Sequence, residues 1–219
     1  MEQGQGTRVS PPVILVADDH PMFREALKLA IGRASPGARV IEAGQLADAA
    51  EAARKAERLD LILLDLRMPG ADGFSGIALM HAERPDTPIL VVSSAEATAA
   101  APRARAYGAV GFVSKGAELA VLEATIARAL AGVRDPAPAT PPDPEIDDMA
   151  RRIAALTPSE IKVLLGVLAG RLNKQIAHDL GISEATVKGH MTVIMRKMNV
   201  QNRTQAVLAA RALDVELDG

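Results

Sequence analysis

The chain contains no cysteine and no tryptophan among its 219 residues. Without cysteine, disulfides, zinc-thiolate sites and thiol nucleophiles are excluded. No apolar stretch approaches the length that crosses a membrane, and the amino terminus has no apolar signal-peptide region. We therefore expect a cytoplasmic, globular protein of one or two domains, with no membrane partner.

Aromatic residues are almost absent, since the chain has three phenylalanines and one tyrosine. Hydrophobic residues nevertheless make up 48% of the sequence, which is enough for ordinary cores. The interior must therefore be built from Leu, Ile, Val, Met and Ala. Such a composition favours closely packed helices.

Acidic and basic residues are distributed unevenly along the chain, although the net charge is only −2. Residues 1–134 carry a net charge of −1 and residues 135–150 carry −5. Residues 151–213 carry ten basic against three acidic side chains, a net charge of +7, and the tail carries −3. This pattern indicates two domains joined by an acidic segment.

The joining segment reads "RDPAPATPPDPEIDD" and has five prolines within nine residues. Proline runs exclude helix and favour an extended, semi-rigid spacer. We therefore predict a first domain over 1–133, a proline-rich acidic linker over 134–150 and a second domain over 151–219.

Five short apolar runs punctuate the first domain and alternate with alanine-rich stretches of helical spacing. Continuous apolarity over so few residues is typical of strands buried on both faces, and the alternation with helices indicates βα units around a parallel sheet. The runs are VILVA (13–17), ARVIEA (38–43), DLILLD (60–65), PILVVS (88–93) and AVGFVS (109–114). The predicted fold is an α/β domain with a five-stranded parallel sheet.

Polar residues follow these runs, at the carboxyl ends of the strands, where open sheets of this kind bind ligands. They are Asp18, Asp19, Asp65, Ser93 and Lys115. Three carboxylates in one cleft repel each other unless a cation lies among them, and a site of oxygen ligands suits Mg²⁺. The sequence therefore predicts a magnesium site at this edge.

The first 130 residues resemble the receiver domain of response regulators, through "ILVADDH", "DLILLDLRMPGADG", "PILVVSS" and "GFVSK" in this order. The resemblance implies a flavodoxin-like, doubly wound sheet and a phosphoryl group accepted from a histidine kinase. It implies that Asp65 is the phosphoacceptor and that Mg²⁺ is held by Asp19, Asp65 and the backbone carbonyl of Arg67. Asp18 would lie just beyond the metal or bind it through water.

Three further roles follow from the same resemblance. Ser93 would be the hydroxyl that turns toward the phosphoryl group, Lys115 would pair with that group, and Phe112 would be the aromatic switch. The chain would act as an enzyme only on itself, in phosphorylation and dephosphorylation.

Pro102 departs from the family pattern. Because proline breaks a helix interior, we expect a short fourth helix starting near Ala101.

Two alternative functions remain open. An aspartyl-nucleophile phosphohydrolase would share Asp65 and magnesium, but it would need a second carboxylate two residues later, where Arg67 stands. A regulator of the same fold that signals without phosphate would lack some of the site residues, whereas all are present. No glycine-rich phosphate loop occurs, which argues against direct use of ATP.

The second domain shows the start and stop signals of four helices. Thr157, Pro158 and Glu160 form a capping box with a first-turn proline, and Gly170 closes this first helix. Asn173 is expected to cap a short second helix that ends at Gly181, and Ser183 a third helix that runs to about Met198. Asn202 is expected to cap a fourth helix through Leu213.

The short helix, glycine turn and longer basic helix predict a helix-turn-helix. The third helix would bury Val187, Met191, Ile194 and Met198 and expose Lys188, Thr192, Arg196 and Lys197. The segment resembles the LuxR-type DNA-binding domain, and the whole chain resembles the NarL/FixJ group of response regulators. The resemblance implies double-stranded DNA as a partner, with contacts from Lys174, Thr186, Lys188, Gly189, Thr192 and Arg196.

The resulting prediction is a two-component transcription regulator, active as a homodimer when phosphorylated. A single small domain of charge +7 gains mostly non-specific attraction to DNA phosphates, and pairing of two domains is the usual route to specificity. Ala206, Val207, Ala210 and Leu213 could line a stripe that meets a partner. The alternative is that this stripe belongs entirely to the domain core.

Overall fold

The computed structural model describes residues 10–72, 74–94, 97–135 and 144–212. Its first domain has a five-stranded, fully parallel sheet of β1 (Val13–Ala17), β2 (Arg39–Ala43), β3 (Leu61–Leu64), β6 (Ile89–Ser93) and β7 (Gly111–Ser114). The strand order across this sheet is β2-β1-β3-β6-β7. A two-residue antiparallel ladder joins β4 (Arg67–Met68) to β5 (Ala71–Asp72). All five predicted strands are confirmed.

Five helices cover both faces of this sheet: α1 (Pro21–Ala34), α2 (Leu46–Lys55), α3 (Ser75–Glu83), α4 (Ala97–Ala106) and α5 (Leu119–Leu130). Successive strand residues point to opposite faces. Ile14 and Val16 of β1 therefore pack with α1 and α5, whereas Leu15 and Ala17 pack on the side of α2 and α3. Burial on both faces explains why these strands are apolar throughout.

Helix α4 differs from the prediction, because it begins at Ala97 and contains Pro102 in its interior. A proline there removes one backbone hydrogen bond and costs about 3 kcal/mol in a helix interior. Ala100 and Ala104 are 1% and 0% exposed and belong to the core, so their burial offsets part of this cost. The expectation of a short helix starting near Ala101 is therefore wrong.

Helix α6 (Pro144–Ala154) begins inside the segment predicted as a linker. Proline is compatible with a first helical turn, since the missing N–H has no partner there in any case. Further along, Ala150 and Ile153 are buried in the core, which stabilises the helix by packing. Residues 144–150 are thus helical, and the prediction of an extended linker over all of 134–150 is wrong for them.

The second domain consists of α6 with α7 (Pro158–Leu168), α8 (Asn173–Leu180), α9 (Glu184–Met198) and α10 (Arg203–Ala212). The Thr157–Glu160 capping box is present, and Ser183 Oγ accepts a hydrogen bond from the amide of Thr186 at 3.0 Å. Asn202 Oδ1 likewise accepts from the amide of Gln205 at 2.8 Å. These three helix starts agree with the sequence.

The start of α8 differs from the prediction, since its cap position is Leu172 and not Asn173. The Gln175 side chain accepts a hydrogen bond from the Leu172 amide at 2.8 Å. Asn173 Oδ1 instead accepts a hydrogen bond from Arg203 Nη1 at 2.8 Å, which ties the beginning of α10 to α8. The Asn173 side chain, which the local sequence pattern assigned to the helix cap, is thus bound to the distant Arg203.

Close packing of α7 on α8 depends on Gly166. A Cβ atom at this position would lie 2.8 Å from Ile176 Cγ1 and 3.1 Å from Ile176 Cδ1. Alanine in place of a helical glycine normally stabilises by about 1 kcal/mol, but overpacking a core costs about 1–3 kcal/mol. We expect Gly166→Ala to lower the free energy of unfolding by about 1 kcal/mol in urea denaturation.

Gly189→Ala provides the matched control, because no atom lies within 4 Å of a Cβ built at Gly189 in α9. This variant should gain up to about 1 kcal/mol from helix propensity alone. Ile176→Val should cost less stability in the Gly166→Ala background than in the natural protein, because valine lacks the Cδ1 atom that lies 3.1 Å from the added Cβ. Equal stability of the two alanine variants would contradict the packing described.

The two domains are in contact through α3 and α4 on one side and α6 and α7 on the other. An ion pair of 2.6 Å joins Glu83 Oε1 at the end of α3 to Lys162 Nζ on α7, and the Glu83 side chain is only 7% exposed. Tyr107 of the first domain and Ile161 of the second line a small cavity between the two domains. Within the described residues, no helix has the length and apolarity of a membrane span.

Candidate functional site

Sheet register brings the acidic residues together at one edge. Ala17 of β1 pairs with Leu64 of β3, so the residues that follow, Asp18 and Asp65, lie side by side. One ligand atom from each of Asp18, Asp19, His20 and Asp65 lies within 4.8 Å of all the others. The strand order reverses at β1 and β3, which is where ligand sites form in such sheets.

Asp65 is buried, with 2% of its surface exposed. Its Oδ2 lies 2.7 Å from Lys115 Nζ, and its Oδ1 accepts a hydrogen bond from the Arg67 amide at 3.1 Å. Lys115 reaches the site because β7 pairs with β6 up to Ser114, and its own amide donates to the Ser93 carbonyl. A buried carboxylate is thus held by one cation and one backbone N–H.

Lys115 Nζ also lies 2.7 Å from Asp18 Oδ2, so one ammonium group bridges two buried carboxylates. Burial by itself lowers the pKa of Lys115, but hydrogen bonds to Asp18 and Asp65 outweigh burial and hold its pKa above the usual value. The side chain is therefore positively charged at neutral pH.

Asp18 and Asp19 have different environments. Asp18 is 1% exposed, and its Oδ1 accepts a hydrogen bond from the His20 amide at 2.8 Å. The Arg24 guanidinium donates to the Asp18 carbonyl at 2.7 Å, which fixes the turn. Asp19 is about one-third exposed and lies 2.6 Å from the His20 ring. The exposed carboxylate is the one accessible to a hydrated ion.

The donor set of this cluster fits a hard divalent cation. Three carboxylates face one ammonium group, so the cluster keeps an excess of negative charge that a divalent cation would balance. The three carboxylates of the cluster supply oxygen ligands and its accessible side leaves room for water, which are the features that Mg²⁺ requires. The acidic pocket is therefore able to bind a metal ion.

A cavity of about 400 Å³ opens beside Asp65. His20, Met22, Phe23, Asp65, Arg67, Ser94 and Lys115 line it. Ser93 ends β6 and is fully buried, whereas the next residue, Ser94, faces the cavity. Sequence reasoning missed Ser94 and Phe23, because apolar and hydroxyl side chains at such positions carry no charge signal.

Phe112 lies in β7 and is half-buried. Its amide donates a hydrogen bond to Asp135 Oδ2 at 3.2 Å, and the Asp135 amide donates to the Val110 carbonyl at 2.9 Å. Arg128 Nη2 holds the other oxygen of Asp135 at 2.7 Å. The chain leaving α5 therefore returns to the edge of the sheet beside Phe112, a contact that sequence reasoning missed.

A second candidate surface lies on the helix-turn-helix. Gly181 adopts a left-handed conformation (φ 64°) at the turn between α8 and α9. Val187, Met191, Ile194 and Met198 are buried as expected, which directs the opposite face of α9 outward. The predicted DNA-contacting residues are all exposed: Lys174 on α8, and Thr186, Lys188, Gly189, Thr192 and Arg196 on α9.

Lys197 does not belong to this open face. Its ammonium group lies 2.7 Å from Glu160 Oε2 and 3.2 Å from the Ala155 carbonyl, so it ties α9 to the start of α7. Burial acts to raise the pKa of Glu160, but the Lys197 ammonium and the Thr157 backbone outweigh burial and lower it. The expectation that Lys197 lies on the exposed face is wrong.

The proposed dimer stripe on α10 is mostly core. Ala206 and Ala210 are 0% and 4% exposed and Val207 is half-buried, whereas Leu208 is 63% exposed. Leu213 lies outside the described residues. Among the described residues, the predicted stripe therefore leaves only part of Val207 for a partner, and Leu208 is the large exposed apolar side chain of α10.

A doubly wound sheet with an acidic edge, joined to a helix-turn-helix with a basic open face, defines a response regulator with a DNA-binding domain. Residues 14–127 match the response regulator receiver domain, and residues 154–210 match the bacterial regulatory proteins of the luxR family. The chain belongs to the NarL/FixJ family of two-component transcriptional regulators.

Relatives match over nearly the whole chain. A glycerol metabolism activator of Pseudomonas putida is 37% identical, over 92% of this chain and 96% of the relative. The transcriptional regulatory protein FixJ of Bradyrhizobium diazoefficiens is 32% identical, over 91% and 95%. A solved LuxR-family response regulator from Aurantimonas sp. SI85-9A1 has a TM-score of 0.53 at 32% identity, covering 59% of this chain and 91% of that one.

Proposed function

We propose that phosphorylation of Asp65 by a histidine kinase controls the DNA-binding activity of this regulator. The observation that carries the proposal is the buried Asp65 carboxylate, which Lys115 and the Arg67 amide hold at the wall of an open cavity. A phosphoryl donor can reach this cavity, and the neighbouring positive charge balances the charge on the phosphoryl oxygens.

In the proposed transfer, a carboxylate oxygen of Asp65 attacks the phosphorus atom of the kinase phosphohistidine. The new O–P bond forms as the N–P bond breaks, and the histidine nitrogen leaves with the electron pair. Asp19, Asp65 and the Arg67 carbonyl would hold Mg²⁺, with Asp18 nearby, and the ion would supply charge neutralisation. Attack of water on the acyl phosphate would later end the signal. The reactions of the chain would thus be limited to the phosphorylation and dephosphorylation of Asp65.

Ser93 and Phe112 are proposed to report the phosphorylated state. The Ser93 hydroxyl would turn toward a phosphoryl oxygen and Phe112 would move inward, which reshapes the β6–α4 and β7 region. Support comes from their positions in neighbouring strands. Ser93 ends β6 and pairs with Ser114, the residue before Lys115, and Phe112 pairs with Val91 in the same two strands. Because α4 contacts α6, a change there reaches the second domain.

The open face of α9 is proposed to enter the DNA major groove. Lys188 supplies an exposed cation on this face. Gly189 and Thr192 are small, so the helix backbone could approach the base edges closely. Lys174, Thr186 and Arg196 would contact the flanking phosphates, which attract the +7 charge of this domain.

We further propose that phosphorylation yields a homodimer that binds two half-sites roughly 10 bp apart. Footprinting of the beryllofluoride-treated protein on its own genome would first identify a binding site. In sedimentation with a duplex carrying that site, we expect two protomers per duplex with beryllofluoride and weaker, single-protomer binding without it.

Two variants serve as controls for this dimer. Asp65→Asn should remain in the weak-binding state after beryllofluoride treatment, because the beryllium ligand is lost. Leu208→Ser should reduce dimer formation at little cost to folding, since Leu208 is 63% exposed. A protein that stays monomeric in both states and fills half-sites independently would contradict the dimer and leave the phosphoacceptor proposal unaffected.

A further inference from the structure

Phe23 is one of the few aromatic residues in the chain, and its ring lies beside Asp65 and Lys115. Phe74 stacks on Tyr107 in the core with centroids 5.7 Å apart, and Phe112 lies in β7. Phe23, in the first turn of α1, instead lines the cavity beside Asp65, and its ring centroid lies 4.9 Å from Lys115 Nζ. This distance is within the range of a cation–π contact.

Lys115 needs such a contact because its charge sits on a flexible four-carbon stem with compact, freely rotating donors. The Lys115 ammonium group contacts a carboxylate oxygen of Asp18 and one of Asp65, each at 2.7 Å. The Phe23 ring contributes a third, apolar wall, so that the side chain is only 14% exposed. An aromatic face attracts an ammonium ion and at the same time excludes water from it.

We propose that Phe23 is a positioning residue for phosphoryl transfer, which keeps the Lys115 ammonium directed at Asp65 through its aromatic face. This inference rests on Asp65 being the phosphoacceptor. Phe23 packs partly against the core on the α1 side of the sheet, but it is only half-buried and also forms part of the cavity wall that an incoming donor would meet, so packing uses only part of its ring. A leucine or methionine would fill the same space without attracting the cation.

Pentafluorophenylalanine at position 23 is the sharpest test, because it keeps the ring's shape and reverses the charge distribution of its face. We expect this variant and Phe23→Leu to accept phosphate from acetyl phosphate with Mg²⁺ about 3- to 10-fold more slowly, as expected from a partly buried cation–π contact. Phe23→Tyr keeps the aromatic face and should label within about twofold of the natural protein.

A double-mutant cycle with Lys115→Met separates positioning from general packing. In the Lys115→Met background, the Phe23 variants should label at the same reduced rate as Lys115→Met alone, because no cation remains to be positioned. Loss by the same factor in both backgrounds would overturn the proposal. So would a natural rate for the pentafluoro variant, whose shape leaves folding unaffected.

The Asp65→Asn variant distinguishes this inference from the proposed function. If Asp65→Asn is still labelled, the phosphoacceptor assignment fails and the Phe23 inference fails with it. If labelling requires Asp65 but responds equally to Phe23→Leu and Phe23→Tyr, only the Phe23 inference fails. Far-ultraviolet circular dichroism and urea unfolding of each variant would verify that the compared rates belong to folded protein.

Discussion

Asp65→Asn is expected to abolish labelling of the protein by acetyl phosphate in the presence of Mg²⁺. Asparagine has almost the same size as aspartate but lacks the negative oxygen that attacks phosphorus. Folding should be preserved, because Lys115 keeps its 2.7 Å contact to Asp18 and the Arg67 amide keeps an oxygen acceptor. Removing one of three clustered carboxylates also relieves repulsion, so urea unfolding should occur at the same or a higher midpoint.

Asp19→Ala is the matched comparison for this experiment. It removes the more exposed carboxylate of the cluster but leaves the nucleophile, so labelling should be slower and should require more Mg²⁺. Release of the label by hydroxylamine would identify an acyl phosphate. If Asp65→Asn carries as much hydroxylamine-sensitive label as the natural protein, another residue is the acceptor.

The first domain was predictable because its pattern is set by burial on both faces of a parallel sheet. Such strands are continuously apolar, and Ile14 and Leu15 are both completely buried. The carboxyl ends of parallel strands share one edge, which brings Asp18, Asp65 and Lys115 together without knowledge of the packing of the helices. Local pattern and topology therefore suffice for the core of the site.

The features that sequence reasoning missed depend on distant partners. Pro102 lies inside a helix because the alanines around it are buried, and Lys197 leaves the open face because Glu160 lies 37 residues away in sequence and only 2.7 Å away in space. Asp135 binds the Phe112 amide in the same way, across 23 residues. None of these contacts has a local signal, since only the packed structure determines which polar groups meet.

Asp135 gives the receiver a direct connection to the segment that leads to the second domain. Its side chain accepts from the amide of Phe112, and its own amide bonds to β7 at Val110. A Cβ at Gly111 would lie 2.5 Å from Asp135 Oδ2, so only glycine permits this approach. Movement of Phe112 would therefore act on Asp135, and through it on the segment that leads to the second domain, as well as on α4.

Lys188→Ala is expected to weaken binding at a specific DNA site by about 1–3 kcal/mol, about 5- to 150-fold, if its ammonium group reaches a base edge. The side chain is 66% exposed, and its ion pair to Glu184 at 3.2 Å is a surface contact that DNA can replace at little cost. Gly189 and Thr192 nearby have short side chains, so Lys188 is the longest exposed side chain on this part of α9. Fluorescence anisotropy with a footprinted site would measure the loss.

Lys197→Ala is the control for Lys188→Ala, since both remove one positive charge from α9. Because Lys197 is bound to Glu160, its loss should lower the urea midpoint and leave specific DNA affinity of the folded protein nearly unchanged. The salt dependence then separates two roles for Lys188. Loss of a base contact weakens binding to the specific site more than binding to random DNA. Loss of a phosphate contact weakens both alike and lowers the slope of affinity against salt concentration by about one. Unchanged affinity of Lys188→Ala at low salt would show that this face of α9 does not contact DNA.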